Sequence, residues 1–447
     1  MSHIEKLIEM AMAEGADSAE VYYSNQIKQK IDVLGGKVDE SKYAKELGMG
    51  LRVLKNKAFG FAATTDLSDK ALLGTAYQAV QNAMCATPSE FNILPKLNQP
   101  KVNENQLEIL DQDLLKQKME EKISKALLVE KSAYAADKRI KKTEMVSYSD
   151  AAYVITLANS LGQKLSYSGT YAGASADVIA EDSTDGQQQS GSAYQYVVNL
   201  KDFDPQMIGR ESARQATLML GATSWNTAKT NLIFDPMVSA QFLSAISPLV
   251  LASYVQKGKS LMAGKKGQTV ASKKINLIDS GILPKGLGST PFDGEGLATQ
   301  ETQLIKDGIL QGYLYDFFTA QKENVLSTGN ASRGSYDSAP DVSTNNFYLK
   351  PGQASSENLI QSVNKGILIT RVMGMHTIDP ISGDFSVGAA GVLIENGKLG
   401  KAVRGIAIAG HLSDLLNNIV EVGSDIKFYS SVGAPSLLIE GISVSGK

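Results

Sequence analysis

The chain has 447 residues, more than one hydrophobic core usually serves, so two or three structural units are expected. Its 44 basic and 47 acidic side chains leave no positive excess to condense on phosphate, which argues against direct nucleic-acid binding. The one cysteine, Cys85, has no internal disulfide partner, and the start Met1-Ser-His-Ile-Glu5 lacks the basic and apolar pattern of a secretory signal; the cytoplasm is the expected compartment.

The first predicted element is a helix. Ser2-x-x-Glu5 forms a capping box, Ile4, Leu7, Ile8 and Met12 follow at helical spacing, and Gly15 stops the run. Val21 to Val33 and Gly48 to Ala63 are rich in β-formers and punctuated by Gly35-Gly36 and Lys55-Asn56-Lys57, a pattern of antiparallel strands. A helix over about Asp66 to Met84 packs on that sheet, and the Ala-Met-Cys-Ala setting of Cys85 points to a buried thiol. The charged stretch from Leu110 to about Lys138 reads as a helix with a solvated face, covering a second sheet. That sheet is legible in Glu144 to Leu157, Gln163 to Ala180 and Ser190 to Asp202, with turns at Asn159–Gly162 and Asp182–Gly186. Asp204 to Leu220 is helical again.

The pattern relaxes around Gly221 to Lys229. Residues 1–225 are therefore taken as an N-terminal α+β region, divisible at 1–100 and 101–225, and 226–447 as a β-rich domain. Pro236 to Gln256 runs without a charged residue, but its prolines, glutamines and serines make it too polar for lipid, so a helix buried within protein is expected and no membrane span. The lysines from Lys257 to Lys274 suit a flexible solvated loop or, less simply, a contact with an anionic partner. Two hairpins follow, at Asp307-Gly308 and Asn396-Gly397, where positive φ angles allow a tight turn. Their shared Leu-Ile-x-x-Gly-x-Leu pattern is ordinary hairpin convergence. The fold class is α+β, with layered sheets and helices followed by a strand-rich, barrel-like domain.

A catalytic zinc wants His, Cys or carboxylate ligands at helical spacing with a Glu to activate water. Only three histidines are present, His3, His376 and His411, and none forms a short-range pair, since His376 and His411 lie 35 positions apart. Convergence of His376 with Asp379 or Asp384 in space stays open. Nucleophile-elbow, Walker and dinucleotide-binding patterns are absent. The loop Pro291-Phe-Asp-Gly-Glu-Gly296 places Asp293 and Glu295 between glycines, where they are expected to be exposed and either bind a cation or a peptide amine, or serve the turn.

Motif order along nearly the whole chain resembles the TldD/PmbA family, specifically its TldE/PmbA-type subunits. The residues carrying the resemblance are Gly48-Met-Gly-Leu-Arg-Val53, Gly60-Phe61, Ser260 to Gly267, Ser289 to Gly296 and Gly312-Tyr-Leu. Ser327 to Asn330, Ser382 to Ser386, Gly391 to Gly397 and Gly433 to Leu437 complete the series. The resemblance implies a metallopeptidase pair in which the TldD subunit carries zinc on a His-Glu-x-x-x-His helix, completed by a C-terminal cysteine. Laid on that motif, the uncharged segment puts Ser244, Ala245 and Leu249 at the ligand and base positions, all vacant, and the cysteine region reads Val432 to Ser436. Pro248 would disturb a helix there.

The implied role is a metal-less partner of a TldD-like subunit that helps hold an extended peptide, with no cofactor in this chain and zinc only in the partner; whether the isolated chain forms a homodimer stays open. Two alternatives stand beside it. One is an independent hydrolase using His376, Asp384 and the Asp293/Glu295 loop; the other is a regulatory protein in line with the family's description as a modulator of DNA gyrase.

Overall fold

The computed structural model describes residues 2–97, 100–183 and 186–446. The first helix, His3–Ala13, starts as its capping box dictates: the Glu5 N–H donates to Ser2 Oγ at 3.4 Å and the Ser2 N–H to Glu5 Oε2 at 3.0 Å. Strands β1 (Ser18–Leu34), β2 (Lys37–Lys55) and β3 (Ala58–Thr64) follow, then β4 (Ile140–Asn159), β5 (Lys164–Glu181) and β6 (Gln188–Val197). The two sheets expected here are one. The order β3-β2-β1-β4-β5-β6 is joined by antiparallel pairing of β1 with β4, from Glu20 opposite Asn159 to Val33 opposite Val146. Helix Asp69–Cys85 and other chain separate those partners in sequence, so no local pattern announces the pairing. Of the two predicted turns, Asn159–Gly162 is observed with Gly162 at φ +74°; Thr184 and Asp185 of the other lie outside the described residues.

Alternation along β1 sends its two sets of side chains to different neighbours. Ala19, Val21, Ile31 and Val33 pack beneath helices His3–Ala13, Asp69–Cys85, Met119–Ala136 and Pro205–Leu218. Glu20, Tyr22 and Ser24 face the other way. The charged helix Met119–Ala136 is not solvated throughout: Glu130 is buried and accepts the Gly35 and Gly36 N–H groups of the β1–β2 turn at 2.9 and 2.7 Å. Cys85 is exposed rather than buried. The buried stripe of its helix, Leu72, Ala76, Ala79, Val80 and Ala83, ends before it, and Cys85 falls off that stripe.

The C-terminal half adds β7 (Ala228–Phe234), β8 (Leu277–Ser280), β9 (Glu301–Lys306), β10 (Ile309–Leu310), β11 (Ala331–Ser332), β12 (Asp341–Val342) and β13 (Asn346–Leu349). Then come β14 (Lys365–Met373), β15 (Asp384–Glu395), β16 (Lys398–His411), β17 (Ile419–Val422), β18 (Lys427–Tyr429), β19 (Val432–Ala434) and β20 (Leu437–Ser445). The expected barrel is present. Strands β16-β15-β14-β7-β20 pair in that order, and β16 pairs β20 through Ile408 and Val444 to close the ring. A second sheet, β10-β9-β8-β13-β19-β18, lies beside it. Both predicted hairpin turns adopt positive φ at both central residues, Asp307 and Gly308 in one and Asn396 and Gly397 in the other.

The uncharged segment is not one helix. It forms helix Pro236–Ile246, a 3-10 turn Ser247–Val250 and a short helix Ala252–Gln256. Pro248 sits in the turn, and a residue without an N–H cannot continue the helical ladder. Asp235 caps the first piece by accepting the Val238 N–H at 2.8 Å. Among the described residues no helix is long and apolar enough to cross a membrane.

Candidate functional site

The three positions laid on the zinc motif have parted company. Ser244 is exposed near the end of helix Pro236–Ile246, and Ala245 is partly buried against the core. Leu249 is 1% exposed in the 3-10 turn, its carbonyl accepting the Ser260 hydroxyl at 2.7 Å. These side chains offer no imidazole and no carboxylate, so they do not fit a zinc ion.

The remaining candidates do not assemble. His376 is exposed in the turn Met375–Thr377, and Asp384 is exposed at the start of β15 opposite His411. His411 is a structural cap: Nδ1 accepts the Ser413 N–H at 3.2 Å and Nε2 lies 2.8 Å from the Ser382 carbonyl. Among the described residues no group of three or more His, Cys, Asp or Glu side chains is placed to hold a metal, and no hydrogen bond or ion pair links His376 or Asp384 to the Asp293/Glu295 loop.

Asp293 and Glu295 require a correction. They are 5% and 2% exposed, not open to solvent, because the loop bearing them lies beneath the N-terminal sheet. Arg52 of β2 points down at it: Nη1 reaches Glu295 Oε1 at 2.8 Å and Nη2 reaches Glu20 at 3.2 Å. Glu20 also pairs with Arg333, whose Nε donates to the Gly294 carbonyl at 2.7 Å and whose guanidinium lies 4.9 Å from the Tyr22 ring centre. Glu295 Oε2 accepts the Phe317 N–H at 2.8 Å. Asp293 accepts the Glu295, Leu297 and Ala331 N–H groups, and burial, with Glu295 nearby, pushes its carboxyl up to about 7.

The motif glycines serve the same junction. A Cβ on Gly50 would lie 1.9 Å from the Tyr336 carbonyl oxygen, and one on Gly48 would lie 2.4 Å from the Tyr336 ring. Glycine there lets the loop carrying Tyr336 rest directly on β2. Three quoted motifs, around Arg52, Glu295 and Asn330, thus converge, the last because the Ala331 N–H beside Asn330 donates to Asp293 at 3.1 Å; Asn330 Nδ2 itself donates to buried Asp279 at 2.7 Å. Arg52 was visible as a charge inside the otherwise apolar run Gly-Leu-Arg-Val-Leu, which is the signal for a buried partner. Glu20, Arg333 and Asp316 carried no such signal.

A cavity of about 390 Å³ opens beside this network, between β2–β3, the short helix Ala252–Gln256 and the helix Phe317–Glu323. Arg52, Glu295, Phe59, Phe61 and Asp316 line it, with exposed Lys257 and Lys322 also on its wall.

Fold and junction define an α+β protein in which a helix-covered sheet is latched by buried charges onto a region built on a closed barrel. The chain matches the PmbA/TldA metallopeptidase domain 1 over residues 19–83, the central domain over 112–220 and the C-terminal domain over 227–446. It belongs to the PmbA/TldD metallopeptidase family. The metalloprotease PmbA of Escherichia coli is 28% identical over 99% of this chain and 95% of its own. A metalloprotease TldD homolog of Haemophilus influenzae is 28% identical over 96% and 88%. A putative modulator of a DNA gyrase from Thermotoga maritima superposes with TM-score 0.88 at 28% identity, covering 99% of each chain. TldE from Thermococcus kodakarensis shares the fold, with TM-score 0.90 at 21% identity over 100% of each chain.

Proposed function

We propose that this chain is a metal-less subunit that works in the cytoplasm with a TldD-like metallopeptidase on extended peptides. The observation that supports this reading is the fate of the zinc-motif positions. Ser244, Ala245 and Leu249 supply no ligand or base, and the helix that should align them breaks at Ser247–Val250. Without imidazoles and a Glu, water cannot be ionised there in the zinc-peptidase manner. An extended peptide can be held by adding a strand to an open sheet edge. β2 has one: β3 pairs it only from Met49 to Lys55, and among the described residues no strand pairs Lys37 to Gly48 on that side.

The independent-hydrolase reading loses its support, since Asp293 and Glu295 are committed to the buried junction while His376 and Asp384 are exposed elsewhere. The decisive experiment measures bound zinc and cleavage of an unfolded peptide by the purified chain, alone and mixed with a TldD-type subunit. Cleavage only in the mixture, abolished by a chelator, is expected. Stoichiometric zinc or chelator-sensitive cleavage in the chain alone would overturn the proposal.

A further inference from the structure

The charges around the junction cavity are of two kinds. Arg52 and Arg333 are used up by Glu20 and Glu295 within the buried network. Asp316, Asp341, Lys257 and Lys322 also line the cavity or its neighbourhood, yet none of them makes an ion pair among the described residues. Asp316 is the most telling. It is 5% exposed; one carboxylate oxygen, Oδ1, accepts the Thr319 N–H at 2.7 Å and the Thr319 hydroxyl at 2.6 Å. The other, Oδ2, accepts no hydrogen bond among the described residues. Burial raises the Asp316 carboxyl, and Glu295 adds to the push, as expected of a largely buried acid with no cation beside it. Oδ2 is not among the fully sealed side-chain oxygens that lack a partner, so it is accessible to a cation entering the cavity that Asp316 lines.

The opposite charge sits on the same cavity. Lys257 and Lys322 are exposed on its wall, with Lys322 Nζ 4.3 Å from the Phe318 ring centre. Phe59, Phe61 and Phe318 supply the apolar surface. The volume falls in the roughly 300–1,000 Å³ usual for small-ligand sites. A simple anion would leave Asp316 unpaired, and a simple cation would make no use of the lysines on the same wall. A ligand bearing both charges answers both.

We propose that this cavity binds a free amino acid or dipeptide as its zwitterion. The ammonium group sits on Asp316, the carboxylate turns toward Lys257 and Lys322, and an aromatic or aliphatic side chain lies against Phe59, Phe61 and Phe318. This site requires neither a metal nor a partner subunit, so it stands apart from the function proposed above.

Calorimetric titration of the full chain with the dipeptide Leu-Phe tests it, beside the N-acetylated and C-amidated forms of the same dipeptide. Each blocked form should bind at least about tenfold more weakly, the loss expected for one charge-assisted contact. Asp316→Asn should weaken the dipeptide similarly while keeping the helix cap, because an Asn side-chain oxygen still accepts the Thr319 N–H. The double variant Lys257→Ala, Lys322→Ala changes only exposed side chains and should weaken the C-amidated form little. No saturable binding below roughly 10 mM, equal binding of the blocked forms, or binding untouched by both variants would overturn the proposal. Circular dichroism of each variant separates lost binding from lost fold, and the lysine variant decides if Asp316→Asn does not fold.

Discussion

Arg52 and Glu295, 243 positions apart in the chain, meet at 2.8 Å with both side chains buried. One comes from the middle of β2 and the other from the Asp-Gly-Glu-Gly loop, so this pair is where the two halves of the molecule are held in register. Glu20 and Arg333 complete an alternating set of two cations and two anions.

Glu295→Gln leaves two guanidinium groups facing Glu20 alone. Breaking one side of a buried ion network costs about 3–5 kcal/mol, mainly through the charge left without a partner. A large fall in the urea midpoint is expected for Glu295→Gln and for Arg52→Met. The double variant should lose much less than the sum of the two, and strict additivity would show that the residues do not act as a pair.

Gly50→Ala should be more damaging than Gly48→Ala. The new methyl at position 50 meets the Tyr336 backbone oxygen, which cannot swing aside, whereas at position 48 it meets a ring that can rotate. A cost of about 1–3 kcal/mol is the usual range for a forced backbone shift. Limited proteolysis should cut the chain near Tyr336 faster in Gly50→Ala; equal rates for the two variants would count against a close-approach role.

Restoring the zinc motif should fail. In the triple variant Ser244→His, Ala245→Glu, Leu249→His, the third ligand would have to emerge from the 3-10 turn, where Leu249 is packed in the core. Leu249→His alone should destabilise by roughly 2–5 kcal/mol, since a buried apolar side chain is replaced by a polar one. Elemental analysis should find no stoichiometric zinc in the triple variant.

Stability should fall as pH rises between roughly pH 4 and 7. Burial pushes the Asp235 carboxyl up to about 7, against the pull of the Val238 N–H and Arg214. Folded chains therefore keep this proton over a window where unfolded chains, titrating near the ordinary value of about 3.9, have lost it. More protons on the folded side means stability decreases with pH through that window and levels off above it. Asp279 and Asp293, also raised to about 7 by burial, contribute in the same sense. Asp235→Asn keeps a helix cap but has no proton to lose, so its plot of urea midpoint against pH should be shallower.

Much of the molecule was readable from local pattern. The capping box placed the first helix, and Asp-Gly and Asn-Gly placed two hairpin turns, because caps and positive-φ turns depend on residues within a few positions of one another. That Ser244, Ala245 and Leu249 offer no imidazole or carboxylate was equally legible, since it is a fact of residue identity. β2 from Lys37 to Leu47 was not. Its charged, mostly exposed residues show no strand alternation, and it is extended because β1 pairs with it along its length.

What the sequence by itself determined is most of the elements, the family to which they belong and the lack of imidazole and carboxylate at Ser244, Ala245 and Leu249. Tertiary structure alone decided that two sheets are one, that Asp293 and Glu295 are buried, and that His376 and Asp384 stay apart from them. The reason is physical. A carboxylate's role follows from what lies opposite it, and the partner of Glu295 is supplied by a strand at the other end of the chain.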